Sequence, residues 1–239
     1  MSKFKLFCIP YAGGSATVFY KWKNLLISDI ELIPCELSGR GSKISQPLYD
    51  SISAAADDVL KTIIKNLNES HYAFFAHSMG TLILYELLYK INFLNLMPPV
   101  ISIFSGRFPP HIKPSKIHYN QPRSEFINDL RETGGTSEEI LNNDELLDFF
   151  IPIIRADYKI TETYEFSNHK EKFNHDIAVF YGSNDADVKE SDVYQWKNYT
   201  NKKCNFYKFN AGHFFINDNL KDVIDTINFL FSEILINRR

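Results

Sequence analysis

Ala76-His77-Ser78-Met79-Gly80 places a serine between two small residues, after the apolar run Tyr72–Ala76 and before the helical run Thr81–Ile91. This spacing suits a sharp strand-to-helix turn that holds a strained serine up for attack. Strand and helix pack so closely there that larger side chains at either flank would clash. The usual form is G-x-S-x-G, and Ala76 adds one methyl group to it. A serine hydroxyl is unreactive until a base takes its proton, and the base needs an acid to hold its tautomer. In strand-turn-helix hydrolases these follow in the order serine, acid, histidine. Of seven histidines, His213 in Ala211-Gly212-His213-Phe214-Phe215 is the candidate base, after the last strand signal and before the last helix. Gly212 is expected to let the chain turn there. The preceding strand ends in Gly182-Ser183-Asn184-Asp185-Ala186-Asp187-Val188. Asp185, three residues after the glycine, is the expected acid, and Asp187 is the alternative.

An acyl-transfer intermediate also needs amide donors for its oxyanion. The Met79 N–H, just after the nucleophile, is one expected donor. The second is expected from Tyr11-Ala12-Gly13-Gly14, with Ala12 as the donor. No Lys-Ser/Thr follows these glycines, so they do not form a phosphate loop. His77 should point away from its neighbour Ser78 and serve the structure. His111, His118, His169 and His175 lie in or beside a long central segment, where surface or lid roles are expected. His169, His175 and Asp176 match no standard ligand spacing, so no metal site is expected.

The elements that must position these residues alternate. Lys5–Pro10 and Ile30–Leu37 read as strands around a helical Ala16–Ile27 capped by Ser15. An amphipathic helix over Asp50–Leu67 carries Ile52, Ala55, Ala56, Val59, Leu60, Ile63, Ile64 and Leu67 on one face. Val100–Phe104 is the strand after the serine's helix. The β-α-β-α-β-α-β order predicts an α/β protein with a mostly parallel sheet and helices on both faces. With the serine motif, the α/β-hydrolase fold is expected. From about 107 to 172 strand signals lapse. Helical periods near Ser124–Arg131 and Asn143–Ala156, with breaks at Pro109-Pro110 and Gly134-Gly135, predict a helical lid inserted into one domain spanning 1–239. Strands return at Ile177–Tyr181 and Asn205–Phe209, and Leu220–Leu235 closes the chain as a helix.

Composition narrows the setting. The chain has 239 residues, 44% hydrophobic and 23% charged, with a formal net charge of -3. That balance offers nucleic acid or an anionic membrane no electrostatic reason to bind. No apolar run is long enough to span a bilayer, and the start lacks a signal-peptide layout. Cys8, Cys35 and Cys204 are odd in number and far apart, so buried, reduced thiols are expected.

Beyond the elbow, the chain resembles the type II (external) thioesterases of non-ribosomal peptide and polyketide synthesis. Cys8–Ser15 (CIPYAGGS) is similar to their first strand and oxyanion loop. Glu36–Gly41 (ELSGRG) is similar to a turn of theirs in which proline usually stands at Ser38. Ser105-Gly106-Arg107, Leu130–Gly135 (LRETGG), Pro152–Tyr158 (PIIRADY) and Glu162-Thr163-Tyr164 resemble further segments, several of them in the family's lid. The likeness implies hydrolysis of acyl groups from the phosphopantetheine arm of an acyl or peptidyl carrier protein, clearing stalled or aberrant chains. It implies a cytoplasmic enzyme that needs no metal or redox cofactor. The alternatives are an acyl-carrier-protein thioesterase of fatty-acid synthesis, a general carboxylesterase, or a non-catalytic hydrolase-fold binding protein. The complete set of Ser78, Asp185 and His213 argues against the last.

Overall fold

The computed structural model describes residues 3–67 and 71–236, so the expected span 1–239 runs past it at both ends. Three strands lead: β1 (Phe4–Ile9), β2 (Ile30–Pro34) and β3 (Tyr72–His77). They are followed by β4 (Ile101–Ser105), β5 (Asp176–Gly182) and β6 (Cys204–Phe209). The order is β2-β1-β3-β4-β5-β6, and every neighbouring pair is parallel. Strands covered on both faces need apolar residues at successive positions rather than alternate ones. β1, β3 and β4 accordingly are buried along their whole length.

On one face pack α1 (Ile52–Asn66) and α2 (Met79–Phe93). Ser51 caps α1 by accepting from the Ala54 N–H at 3.2 Å. The predicted apolar face holds except for Ile64, which is exposed. The other face is covered by α8 (Leu220–Ile236) and by residues 16–24, including Phe19 and Trp22. The apolar spacing of that early segment suits an α-helix, but Ala16–Asn24 is a 3-10 helix instead. Ser15 still caps it, accepting from the Thr17 N–H at 3.3 Å. β2 ends at Pro34, earlier than the apolar run to Leu37 suggests, although the Cys35 N–H still donates to the Cys8 carbonyl at 2.8 Å.

Between β4 and β5 lie α3 (Arg123–Thr133), α4 (Glu138–Leu141) and α5 (Asp144–Glu162). They share a small core of their own around Phe126, Leu130, Leu147 and Ile151. The periodicity near Asn143–Ala156 extends through Pro152 to Glu162. Two short helices, α6 (Glu190–Val193) and α7 (Phe215–Asp218), complete the set and have no sequence signal long enough to read. No helix among the described residues is long and apolar enough to cross a membrane. All three cysteines are free; Cys8 and Cys35 are buried and Cys204 only partly so.

The direction in which strands are added reverses beside β1: one crossover leads outward to β2, and the next places β3 on its other side. In parallel sheets such a point opens a crevice at the carboxyl ends of the strands. The loop after β1 and the serine turn after β3 both lie there.

Candidate active site

Ser78 sits between β3 and α2 with φ +53° and ψ −116°, outside the regions an L-residue adopts without strain. Its N–H donates to the Ser105 carbonyl at 2.8 Å, tying the turn to the end of β4. Gly80 shows why the flank must be small: a Cβ there would lie 2.7 Å from the Ile9 carbonyl oxygen and 2.8 Å from that of Pro10.

His213 Nε2 lies 2.9 Å from Ser78 Oγ, and Nδ1 lies 2.7 Å from Asp185 Oδ2. A carboxylate can only accept, so Nδ1 carries the proton and Nε2 accepts from the serine hydroxyl. The Asp185 side chain is almost wholly buried and its other oxygen accepts from the Asp187 N–H at 3.1 Å. Asp187 is exposed and has no such contact with His213. The turn expected of Gly212 is supplied differently. Gly212 does not have a left-handed φ, and a Cβ on it would meet nothing within 4 Å. The glycine that geometry requires is Gly182, where a Cβ would fall 2.4 Å from the Gly212 carbonyl oxygen.

His77 turns away from Ser78 into the core, as expected. Its Nδ1 lies 2.9 Å from Ser105 Oγ. A Cβ on Gly106 would collide with its ring at 2.6 Å. Burial, reinforced by the neighbouring His213, holds its pKa well below the ordinary histidine value. His111 binds Tyr199 and Gln195, His118 binds Glu162, and His175 pairs with Ser102. His169 stacks on Tyr89 at 3.8 Å. No group of three or more His, Cys, Asp or Glu residues able to hold a metal occurs among the described residues.

Ala12 and Met79 line one cavity of about 100 Å³ with Ser78 and His213. Met79 is the first residue of α2, where helix geometry leaves the N–H without an intrahelical partner. Tyr11 to Gly14 form a tight turn: the Gly14 N–H donates to the Tyr11 carbonyl at 2.9 Å, and Gly13 takes φ +77°.

Two charged residues, one in the ELSGRG segment and one in the PIIRADY segment, hold this turn in place. Arg40 and Asp157 form a buried two-pronged ion pair, 2.5 Å and 2.9 Å. Asp157 Oδ2 also accepts from the Gly13 N–H at 2.8 Å, and Arg40 donates to the Gly14 carbonyl at 3.2 Å. Helix α5 is thereby joined to the loop beside Ser78. A signal for this is present: Ile153, Ile154 and Ile160 mark the inward stripe of α5, and Asp157 stands on it. In the ELSGRG turn, Ser38 donates its N–H to the Tyr49 hydroxyl at 2.9 Å, a bond proline could not make.

Comparison with known proteins identifies the family. Residues 4–230 match the family model described as "Thioesterase domain". The gramicidin S biosynthesis protein GrsT of Aneurinibacillus migulanus is 32% identical over 225 residues, 94% of this chain and 87% of that protein. The medium-chain S-acyl fatty acid synthase thioesterase of Homo sapiens is 30% identical over 223 residues, 90% of this chain and 82% of that protein. Among solved structures, ClbQ from the colibactin NRPS/PKS pathway superposes with a TM-score of 0.94 at 32% identity, covering 98% of this chain and 99% of that one.

Proposed function

The chain belongs to the thioesterase family, and we propose that it hydrolyses acyl groups from the phosphopantetheine arm of carrier proteins in non-ribosomal peptide or polyketide assembly. The observation that carries this reading is the hydrogen-bonded series Asp185–His213–Ser78, open to a cavity in a chain of that family.

In this reading His213 Nε2 takes the Ser78 proton as Oγ attacks the thioester carbonyl. The oxyanion is received by the Met79 and Ala12 amides, and losing one such donor typically raises a barrier by about 2.7–4 kcal/mol. His213 returns the proton to the departing thiol. Water then attacks the Ser78 acyl ester with His213 again as base, releasing the acid. Asp185 holds the imidazole and stabilises the imidazolium. Residues 107–172 act as a lid over the carboxyl ends of the sheet, within a hydrolase domain spanning 1–239, and the enzyme works in the cytoplasm beside its synthetase.

A second reading, release of fatty acyl chains, draws on the likeness to the human medium-chain enzyme. One comparison tests both: hydrolysis of short aminoacyl or branched acyl groups on a phosphopantetheinyl carrier, of medium-chain fatty acyl groups on the same carrier, and of the matching oxygen esters. The proposal expects the first set to turn over fastest. Preference for medium chains supports the second reading, and preference for oxygen esters overturns both.

A further inference from the structure

Arg107 follows β4 by two residues and lines the cavity that holds Ser78 and His213. Two residues reach at most about 7 Å, so it lies close to Ser105, whose carbonyl binds the Ser78 N–H. The guanidinium stands 4.9 Å from the ring centroid of Phe108. It makes no hydrogen bond or ion pair with any described residue, and its Nε is buried without an acceptor. Burial lowers its pKa to about 10. A guanidinium carries five donors; Nε is the one sealed from solvent, and because Arg107 is only half-buried and lines the cavity, its terminal NH2 groups are the donors open to a bound acyl chain. Elsewhere in this protein the contrast is plain: the buried Arg40 spends its donors on Asp157, Ser38 and Gly14.

The charges around Arg107 indicate what is missing. Glu162 raises its pKa through space, so the positive charge is answered at a distance. Both oxygens of Glu162 are already occupied, by the N–H groups of His118 and Tyr119 and by His118 Nδ1 at 2.8 Å. Lys116 is paired with Asp129 at 2.8 Å, and the exposed Asp187 adds a negative charge to the lining. The cavity therefore lacks an acceptor for Arg107 but does not need another anion.

We propose that Arg107 is an acyl-recognition residue that donates to a second, uncharged carbonyl oxygen of the acyl chain, as in a 3-oxoacyl or N-acylaminoacyl thioester. This rests on the thioesterase reading above and adds the acyl class to it. A site built to hydrogen-bond a polar group discriminates strongly against analogues lacking it, because its own donors are then left unpaired.

The test uses the whole enzyme with four pantetheine thioesters: acetoacetyl, N-acetylglycyl, butyryl and succinyl. The readout is each kcat/KM relative to butyryl, in wild type, Arg107→Met and Arg107→Lys. Comparing ratios removes the intrinsic reactivity of each thioester. The acetoacetyl or N-acetylglycyl ratio should fall about tenfold or more in Arg107→Met, the worth of one charge-assisted hydrogen bond. Lysine, a point donor, should retain part of it. Whichever substrate shows the fall identifies the carbonyl position. Unchanged ratios overturn the proposal, as does a fall confined to succinyl, which would mark an anion receptor. If neither variant folds, binding of amide-linked acetoacetyl, N-acetylglycyl and butyryl pantetheine to wild type decides, and equal affinity for all three overturns it. Wild type inactive on all four thioesters and on the same acyl groups borne by a phosphopantetheinyl carrier protein would instead remove the thioesterase reading.

Discussion

His213 bridges two side chains with opposite needs, a hydroxyl that must lose a proton and a carboxylate that must keep its charge. Asp185 answers the second need from a buried position, while the exposed Asp187 offers only its backbone N–H to Asp185. Asp185→Asn should therefore lower kcat by about 10⁴-fold, the cost seen when the orienting carboxylate of a comparable triad is lost. Asp187→Asn should change kcat only slightly. Steady-state kinetics on one acyl-pantetheine substrate measures both, and a reversed order would move the acid to Asp187. The choice is legible in the sequence because the distance from the strand-ending glycine selects one of two nearby carboxylates. The role of Gly212 is not legible, for a related reason: glycine spacing shows that a close approach occurs but not which of two facing glycines yields to it.

At the scale of elements, the elbow and the Arg40–Asp157 clamp set the site. Gly80→Ala would press a methyl group against the Ile9 and Pro10 carbonyls, which cannot move without breaking β1 from its neighbours. It should cost about 1–3 kcal/mol of stability. Gly212→Ala, with open space around it, should cost little; equal losses in urea denaturation would contradict the geometry. Asp157→Ala strands the buried Arg40 and frees the Gly13 N–H together. A loss of about 3–5 kcal/mol follows from breaking a buried pair. A fall in kcat greater than any change in KM should accompany it, since the displaced loop carries Ala12. The elbow can be read because its residues are adjacent in sequence. The clamp joins positions 117 residues apart: Arg40 and Asp157 stand in the ELSGRG and PIIRADY segments, but apart from the out-of-place aspartate on the apolar stripe of α5 nothing in them says that the two meet. The segment over residues 16–24 cannot be told from an α-helix, because a nine-residue apolar pattern serves either helix type.

For the whole molecule, buried neutral histidines set the response to acid. His175 is buried beneath β4 against Ser102, and burial lowers its pKa to about 4. His77 is shifted in the same direction. With the folded pKa below the unfolded value of about 6.5, the unfolded chain binds more protons, so stability is lost as pH falls through that value. His175 alone removes about 3 kcal/mol between pH 7 and pH 4, since each tenfold weakening of proton binding in the folded state is worth about 1.4 kcal/mol. Between about pH 6.5 and 5 most carboxylates remain ionised, so histidines dominate the slope there. Denaturation midpoints across that window should fall with acid, and His175→Asn should flatten the fall. An unchanged slope would mean that His175 charges freely in the folded state.

The account turns on Ser78 carrying the acyl group between two half-reactions. Rapid-quench mass spectrometry of the enzyme mixed with an acyl-phosphopantetheinyl carrier measures this directly. A transient mass increase equal to the acyl group should appear on the peptide containing Ser78. It should be absent in Ser78→Ala, whose kcat should fall by roughly 10⁶-fold. Acyl mass on another residue, or turnover by Ser78→Ala near the wild-type rate, would contradict it.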